Sequence, residues 1–182
     1  MRSGFYDRPV VEVARDLIGC VVEHDGCAGV IVETEAYHDS EPACHAFVGL
    51  TARTATLFGP PGRAYVYRSY GIHALLNAVC EPRGIGAAVL IRALEPVNGI
   101  EVMRSRRGVE AVRELCSGPG KLTQALGIAL ADDGADLRDG RITISARRRA
   151  LPLAVSRRIG ITRAVELPWR FTAAGSRFVS RR

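Results

Sequence analysis

Lysine is almost absent from this chain: of 25 basic residues, 24 are arginine and only Lys121 is a lysine. The scarcity limits chemistry as well as composition, because Schiff-base catalysis by a side-chain amine would have to run through that one residue. Cysteine is neither abundant nor patterned. Cys20, Cys27, Cys44, Cys80 and Cys116 make an odd set without metal-ligand spacing. That argues against a disulfide framework and against a zinc or iron–sulfur site, and suits a reducing cytoplasmic interior. Neither a metal nor a cofactor is expected. No apolar run approaches the roughly 20 residues that cross a bilayer, and the first residues carry no apolar signal core, so neither a membrane nor export is expected. Repeats, linkers and low-complexity tracts are also missing, so residues 1–182 are expected to form one domain with a substantial core.

What is present is positive charge and a patterned set of strands. The net charge of +6 favours a polyanionic partner, although an arginine bias is also what a GC-rich genome produces. Asp7 is placed to cap a first helix with Pro9 in its opening turn, and Val10, Val13, Ala14, Leu17 and Ile18 share a face before Gly19 ends it. Cys20 to His24 and Cys27 to Ala36 read as strands joined by an Asp25-Gly26 turn. Residues 38–62 are loop-rich and close on Gly59-Pro60-Pro61-Gly62. A second hairpin follows, Ala64 to Tyr70 and Ile72 to Cys80, then a strand from Ala87 to Leu94. Residues 97–116 are helical in composition, a short helix is expected from Pro119 to about Leu126, and Ile142 to Ser145 is a further strand. The fold class is α+β: one mixed domain with the strands central and the helices outside.

Three groups of residues carry possible chemistry. Alternation along Ile31-Val32-Glu33-Thr34-Glu35-Ala36-Tyr37 puts Ile31, Glu33, Glu35 and Tyr37 on one face. Paired carboxylates there suit general acid–base work, and they equally suit the solvated side of a half-exposed strand. Tyr65 and Tyr67 share a strand face while Tyr70 falls on the other phase near a turn. Such rings can stack on an extruded base or wedge into a duplex, or simply pack with their hydroxyls at a rim. Asn77 and Arg92 stand among apolar strand residues and each needs a specific partner. For Asn77 that is a backbone group or a base edge. For Arg92 it is a carboxylate such as Glu95, a phosphate or a held water. Ser117-Gly118-Pro119-Gly120-Lys121-Leu122-Thr123 lacks the Ser or Thr directly after Lys that a nucleotide-binding loop requires. It remains a glycine-rich helix entry, either capped by Ser117 or offering Lys121 to a backbone phosphate. His24, His38 and His73 show no ligand spacing and read as surface or rim residues. Carboxylate, aromatic rings and basic charge together suggest hydrolytic chemistry on a nucleic-acid base.

Taken in order, these segments resemble the alkyladenine (3-methyladenine) DNA glycosylase family. The resemblance is carried by Ile31 to Tyr37, Ala43-Cys44-His45, Thr51-Ala52-Arg53, Phe58-Gly59-Pro60-Pro61-Gly62, Tyr65 to Gly71 and Leu75-Leu76-Asn77. It continues through Val89 to Pro96, Ser117 to Leu122, Arg158-Ile159-Gly160-Ile161 and Pro168-Trp169-Arg170-Phe171, and so spans nearly the whole chain. Ala46 and Thr54 depart from the serine and asparagine of animal members.

The resemblance implies a curved, largely antiparallel sheet with surrounding helices and a protruding hairpin that wedges DNA. It implies Glu35 as the general base on the attacking water, with Arg92 and the carbonyl of Ile159 helping to hold that water. Tyr37, His45 and Tyr67 would enclose the flipped base, Asn77 would exclude guanine by crowding its amino group, and Tyr70 would fill the gap in the duplex. Lys121 would contact the DNA backbone; Glu33 receives no role. The expected function is a monofunctional, monomeric glycosylase acting on double-stranded DNA that contains alkylated or deaminated purines. These are 3-methyladenine, 7-methylguanine, hypoxanthine and ethenoadenine, met on the cytoplasmic nucleoid. A non-catalytic binder of damaged or bent DNA is the alternative.

Overall fold

The structure is a computed structural model that describes residues 1, 4–69, 71–147 and 150–180. Its organising element is an antiparallel pair of long strands, β2 (Cys27–His38) and β5 (Ala87–Asn98). Around them run β1 (Val21–His24), β3 (Ala64–Ser69), β4 (His73–Val79), β6 (Ile142–Ser145), β7 (Leu153–Ser156) and β8 (Arg170–Ala173). The sheet order is β3-β4-β5-β2-β1-β6, every pairing is antiparallel, and the sheet curls into a half-barrel. Beyond β5, β2 forks. Its first half pairs with β1 through the Asp25-Gly26 turn, and its second half, at Glu33 to Glu35, pairs with β8, which β7 extends. Both turn residues have positive φ, 47° and 71°, the conformation that makes Asp-Gly a preferred two-residue hairpin turn.

Helix α1 (Val10–Leu17) packs on β2; α4 (Pro119–Leu126) covers β4 and β5, with α2 (Ile100–Arg107) and α3 (Val112–Leu115) beside it. The apolar stripe expected on α1 is buried, but its cap comes from elsewhere. The first residue of α1, Val10, donates its N–H to the Glu81 carboxylate at 2.8 Å, and no side-chain cap comes from the preceding residues. The long helical stretch expected over 97–116 divides in two. Strand β5 continues through Pro96 to Asn98, and Gly108, at φ 64°, ends α2. Ser117 does not cap α4, whose N-terminal flank is Gly118. His24, read as a surface residue, is buried, with Nδ1 at 2.9 Å from the Leu126 carbonyl.

The pairing of β2 with β5 contains the feature that builds the site. Ile31 opposes Leu94, Glu33 opposes Ala93 and Thr34 opposes Ile91. Val32 and Arg92 are therefore each left without an opposite residue: two bulges, one on each strand, that cancel in register. Bulges re-aim side chains and bend strands. Here they break the simple alternation, so that Ile31 and Val32 both join the main core while Glu33 leaves it. A second apolar cluster of Cys44, Ala46, Leu57, Tyr65, Val79 and Ala88, flanked by Tyr37, Phe58 and Tyr67, backs the other side of the sheet.

Candidate active site

One cavity of about 770 Å³ gathers nearly every residue singled out in the sequence. Tyr37 from β2, Tyr67 from β3, Asn77 from β4 and Arg92 from β5 line it, together with His45, Ile159 and Lys121 from the connecting segments. The hairpin β3–β4 forms one wall. Its tip residue Tyr70, expected to wedge DNA, lies outside the described residues.

Glu33 and Glu35 are not on a half-exposed strand. Both are 0% exposed, and Arg92 between them is 8% exposed. Burying charges costs several kcal/mol per ion unless each is paired and hydrogen-bonded, and the partners are all present. Arg92 donates Nε to Glu33 Oε1 at 3.1 Å and Nη1 to Glu35 Oε2 at 3.2 Å. Glu95, the acid nearest in sequence, is exposed and takes no part. Glu35 Oε1 accepts the Ile159 N–H at 2.7 Å, and Glu35 Oε2 accepts the Tyr37 hydroxyl at 2.8 Å. Arg92 Nη1 also reaches the Ile159 carbonyl at 3.5 Å. Burial, and then the Glu35 charge, push the Tyr37 hydroxyl well above its ordinary range, so it stays a donor. The Glu35 carboxylate and the Ile159 carbonyl thus meet at Arg92 Nη1; Tyr37, Arg92 and Ile159 line the cavity, whereas Glu35, completely buried, contacts all three without lining it. A carboxylate acceptor, a fixed cation and a second acceptor are the groups that orient a water and take its proton.

The aromatic wall is equally specific. Tyr65 and Tyr67 stack with ring centroids 5.3 Å apart, and His45 meets Tyr67 edge-on at 4.5 Å. His45 Nε2 lies 3.5 Å from Arg53 Nη2, and Nδ1 lies 3.1 Å from the Tyr65 hydroxyl. A guanidinium only donates, so Nε2 is the acceptor and Nδ1 carries the proton toward Tyr65. Burial, seconded by the Arg53 charge, lowers the His45 pKa from its ordinary 6.5, which keeps the ring neutral at pH 7. Burial pushes the Tyr67 hydroxyl up to about 12. Neutral, weakly hydrated rings make a surface on which a flat aromatic ligand stacks.

Asn77 finds its partner in the backbone: Nδ2 donates to the Tyr65 carbonyl at 3.1 Å, which fixes the amide at the cavity wall. Lys121 is exposed in the first turn of α4 and lines the same cavity as Arg68 and Arg107. Thr54 is buried and accepts the Thr51 N–H while donating to the Gly49 carbonyl, a staple on the loop that delivers Arg53. Ala46 packs against Gly86, where a Cβ would also meet the Phe58 ring at 2.9 Å.

Several participants escaped the sequence reading. Glu33, given no role, accepts Arg170 Nε at 2.8 Å, the Ser180 hydroxyl at 2.9 Å and the Ser180 N–H at 2.6 Å, in addition to Arg92. Arg158 makes a buried bidentate pair with Glu41, at 2.6 and 3.0 Å, and lies over the rings of Tyr37 and Trp169. Arg53 was visible only as part of a motif. Distant pairings of this kind leave no local pattern; only an arginine bias hinted that guanidinium forks would be in demand. Among the described residues no group of three or more His, Cys, Asp or Glu side chains could hold a metal ion, all five cysteines are buried free thiols, and no helix is long and apolar enough to cross a membrane.

The resemblance read from the motifs has a counterpart in known proteins. A family profile described as methylpurine-DNA glycosylase matches residues 4–177. A protein of Bradyrhizobium diazoefficiens is 55% identical over 181 residues, covering 100% of this chain and 90% of its own length. One from Rhodopseudomonas palustris strain HaA2 is 54% identical over 180 residues (99% and 90%), and one from Agrobacterium fabrum is 50% identical over 180 residues (99% and 92%). All three carry the provisional name 3-methyladenine DNA glycosylase. Motif order, the converging Glu35–Arg92–Ile159 geometry and similarity along nearly the full chain agree, and the chain belongs to the methylpurine-DNA glycosylase family, DNA-repair hydrolases that cleave N-glycosyl bonds.

Proposed function

We propose that this protein is a monofunctional glycosylase that draws a damaged purine out of duplex DNA into the cavity and hydrolyses its N-glycosidic bond with a water activated by Glu35. The observation that carries the proposal is that Glu35 Oε2 and the Ile159 carbonyl meet at Arg92 Nη1, where Arg92 and Ile159 line a cavity together with Tyr37, His45, Tyr67 and Asn77. Cleavage of the bond from deoxyribose C1′ to the base passes through an oxocarbenium-like state, as in glycoside hydrolysis. The Glu35 carboxylate stabilises that cation and accepts the proton of the attacking water. Arg92 and the Ile159 carbonyl hold the water, one donating and one accepting. Tyr37 and Tyr67 stack on the extruded base, His45 closes its edge, and the Asn77 amide crowds the position where guanine carries its exocyclic amino group.

Alkylated purines such as 3-methyladenine and 7-methylguanine are cationic and leave readily, whereas hypoxanthine and ethenoadenine require hydrogen bonding or protonation of the leaving base. Part of the selectivity arises at extrusion, because damaged pairs cost less to open. Tyr70 takes the place of the extruded nucleotide, and Lys121 contacts a phosphate from the rim. That placement keeps the only side-chain amine out of the chemistry, so the strand stays unbroken after base loss. The enzyme acts as a monomer on chromosomal DNA. A binder of damaged DNA without catalysis would gain nothing from a buried, ionisable Glu35 tied to Arg92.

The test is base release from duplexes carrying single hypoxanthine, ethenoadenine or 7-methylguanine lesions, and from alkylated DNA carrying 3-methyladenine. Wild type and Glu35→Gln are compared, with binding recorded on the same duplexes. Wild type is expected to release base and leave a strand that breaks only on alkali treatment, while the variant binds without release. Binding without release by wild type on every lesion would sink the enzymatic reading.

A further inference from the structure

Glu33 accepts more hydrogen bonds than any other carboxylate among the described residues, yet the mechanism proposed above makes no use of it. It accepts four hydrogen bonds, from Arg92 Nε, Arg170 Nε, and the hydroxyl and N–H of Ser180. Its burial is complete. A carboxylate needed only for packing would not be placed between two guanidinium groups, since an apolar side chain of similar volume does that job without the desolvation cost.

The arrangement has a consequence for Arg92. Its Nε side is held by Glu33, its Nη1 faces Glu35, and Nη2 lies 3.5 Å from the Ser180 hydroxyl. Ser180 itself lines the cavity. Without the Glu33 carboxylate, Arg92 loses the acceptor that fixes its Nε edge and is free to turn, so that Nη1 no longer bridges Glu35 and the Ile159 carbonyl.

Resting on the proposed chemistry, we infer that Glu33 is a positioning residue: held in turn by Arg170 and the Ser180 segment, it aims Arg92 so that Nη1 stays between Glu35 and the Ile159 carbonyl. The lock is assembled from three remote parts of the chain, the bulged centre of β2, the strand β8, and the segment following it.

The experiment measures single-turnover base release and lesion-duplex affinity for wild type, Glu33→Gln and Ser180→Ala. Glu33→Gln is expected to slow release by about 10–100-fold with affinity changed by less than about threefold, an effect confined to the transition state. A purely structural Glu33 predicts that release and affinity fall together, in proportion to the folded fraction. Ser180→Ala keeps every charge and removes one donor to Glu33, the hydroxyl, so it serves if Glu33→Gln does not fold; a fall of roughly 10-fold or more is expected from one lost hydrogen bond to a charged group. Wild-type rates in Glu33→Gln, or in Ser180→Ala where that variant stands in, overturn the inference alone. No release by wild type overturns the proposed function and this inference with it.

Discussion

Two buried clusters of carboxylate and guanidinium flank Tyr37, and they are built to opposite specifications. In one, Arg158 and Glu41 form a bidentate pair, the Arg158 Nη groups also donate to the carbonyls of Ala36 and Ala164, and the buried Arg158 Nε has no partner among the described residues. It joins the end of β2 to two loops and stacks on Tyr37 and Trp169. In the other, Arg92 is divided between Glu33 and Glu35, and the Glu35 oxygen it meets also holds the Tyr37 hydroxyl beside the cavity. The bidentate pair closes a carboxylate on the two Nη groups of one guanidinium and fixes a shape. The shared cluster spreads one guanidinium over two acids and brings a carboxylate and a carbonyl to the same guanidinium nitrogen. In the mechanism proposed above, ionic groups of the same kind serve as a rivet in one place and as a reaction centre in the other.

Removing one carboxylate from each cluster should break the comparison most clearly. Glu35→Gln is expected to reduce base release by roughly 10²–10⁴-fold, the usual worth of a general base, while urea unfolding stays near that of wild type. Glu41→Gln should do the reverse. It strands the Arg158 charge in the interior, which costs roughly 3–5 kcal/mol of stability, while release per folded molecule is retained. Equal losses of activity and stability in both variants would erase the distinction drawn here.

A milder change sharpens it. Arg158→Lys keeps the charge and gives up the fork, so it should cost about 1.5–3 kcal/mol, the scale of a lost hydrogen bond to a charged group, again with little effect on release. The smallest effect concerns His45, which borders the reaction cluster without belonging to it. Its folded pKa is lowered by burial and by Arg53, so its neutral form contributes stability at pH above the ordinary value of 6.5, and that contribution is lost as pH falls through the lowered value. Thermal unfolding followed from pH 7.5 to 5 should therefore fall less steeply for His45→Gln than for wild type. Identical slopes would remove His45 from the acid response.

The motifs made the site's membership readable, since Tyr37, His45, Tyr67, Asn77 and Arg92 all reach one cavity. Its electrostatics were not readable. Strand alternation put Ile31 and Glu33 on one face, and no local rule announces the paired bulges at Val32 and Arg92 that separate them. The cap of α1 was assigned to the neighbouring Asp7, while the true acceptor, Glu81, stands 71 residues away. Strands β7 and β8 were missed because each is only four residues long and the exposed β7 carries little apolar pattern.

Local sequence by itself determined the Asp25-Gly26 turn, the α1 stripe, the span of α4 and the sites of the chemistry-bearing side chains, because turn conformation and apolar periodicity act over a few residues. Only the tertiary structure decided that Glu33 and Glu35 are buried, that Arg92 is divided between them, and that Arg170, Ser180 and Ile159 complete their coordination. Burial and charge pairing depend on which distant segments meet: Arg92 stands nearly sixty positions from the two acids, and Ile159, Arg170 and Ser180 more than a hundred.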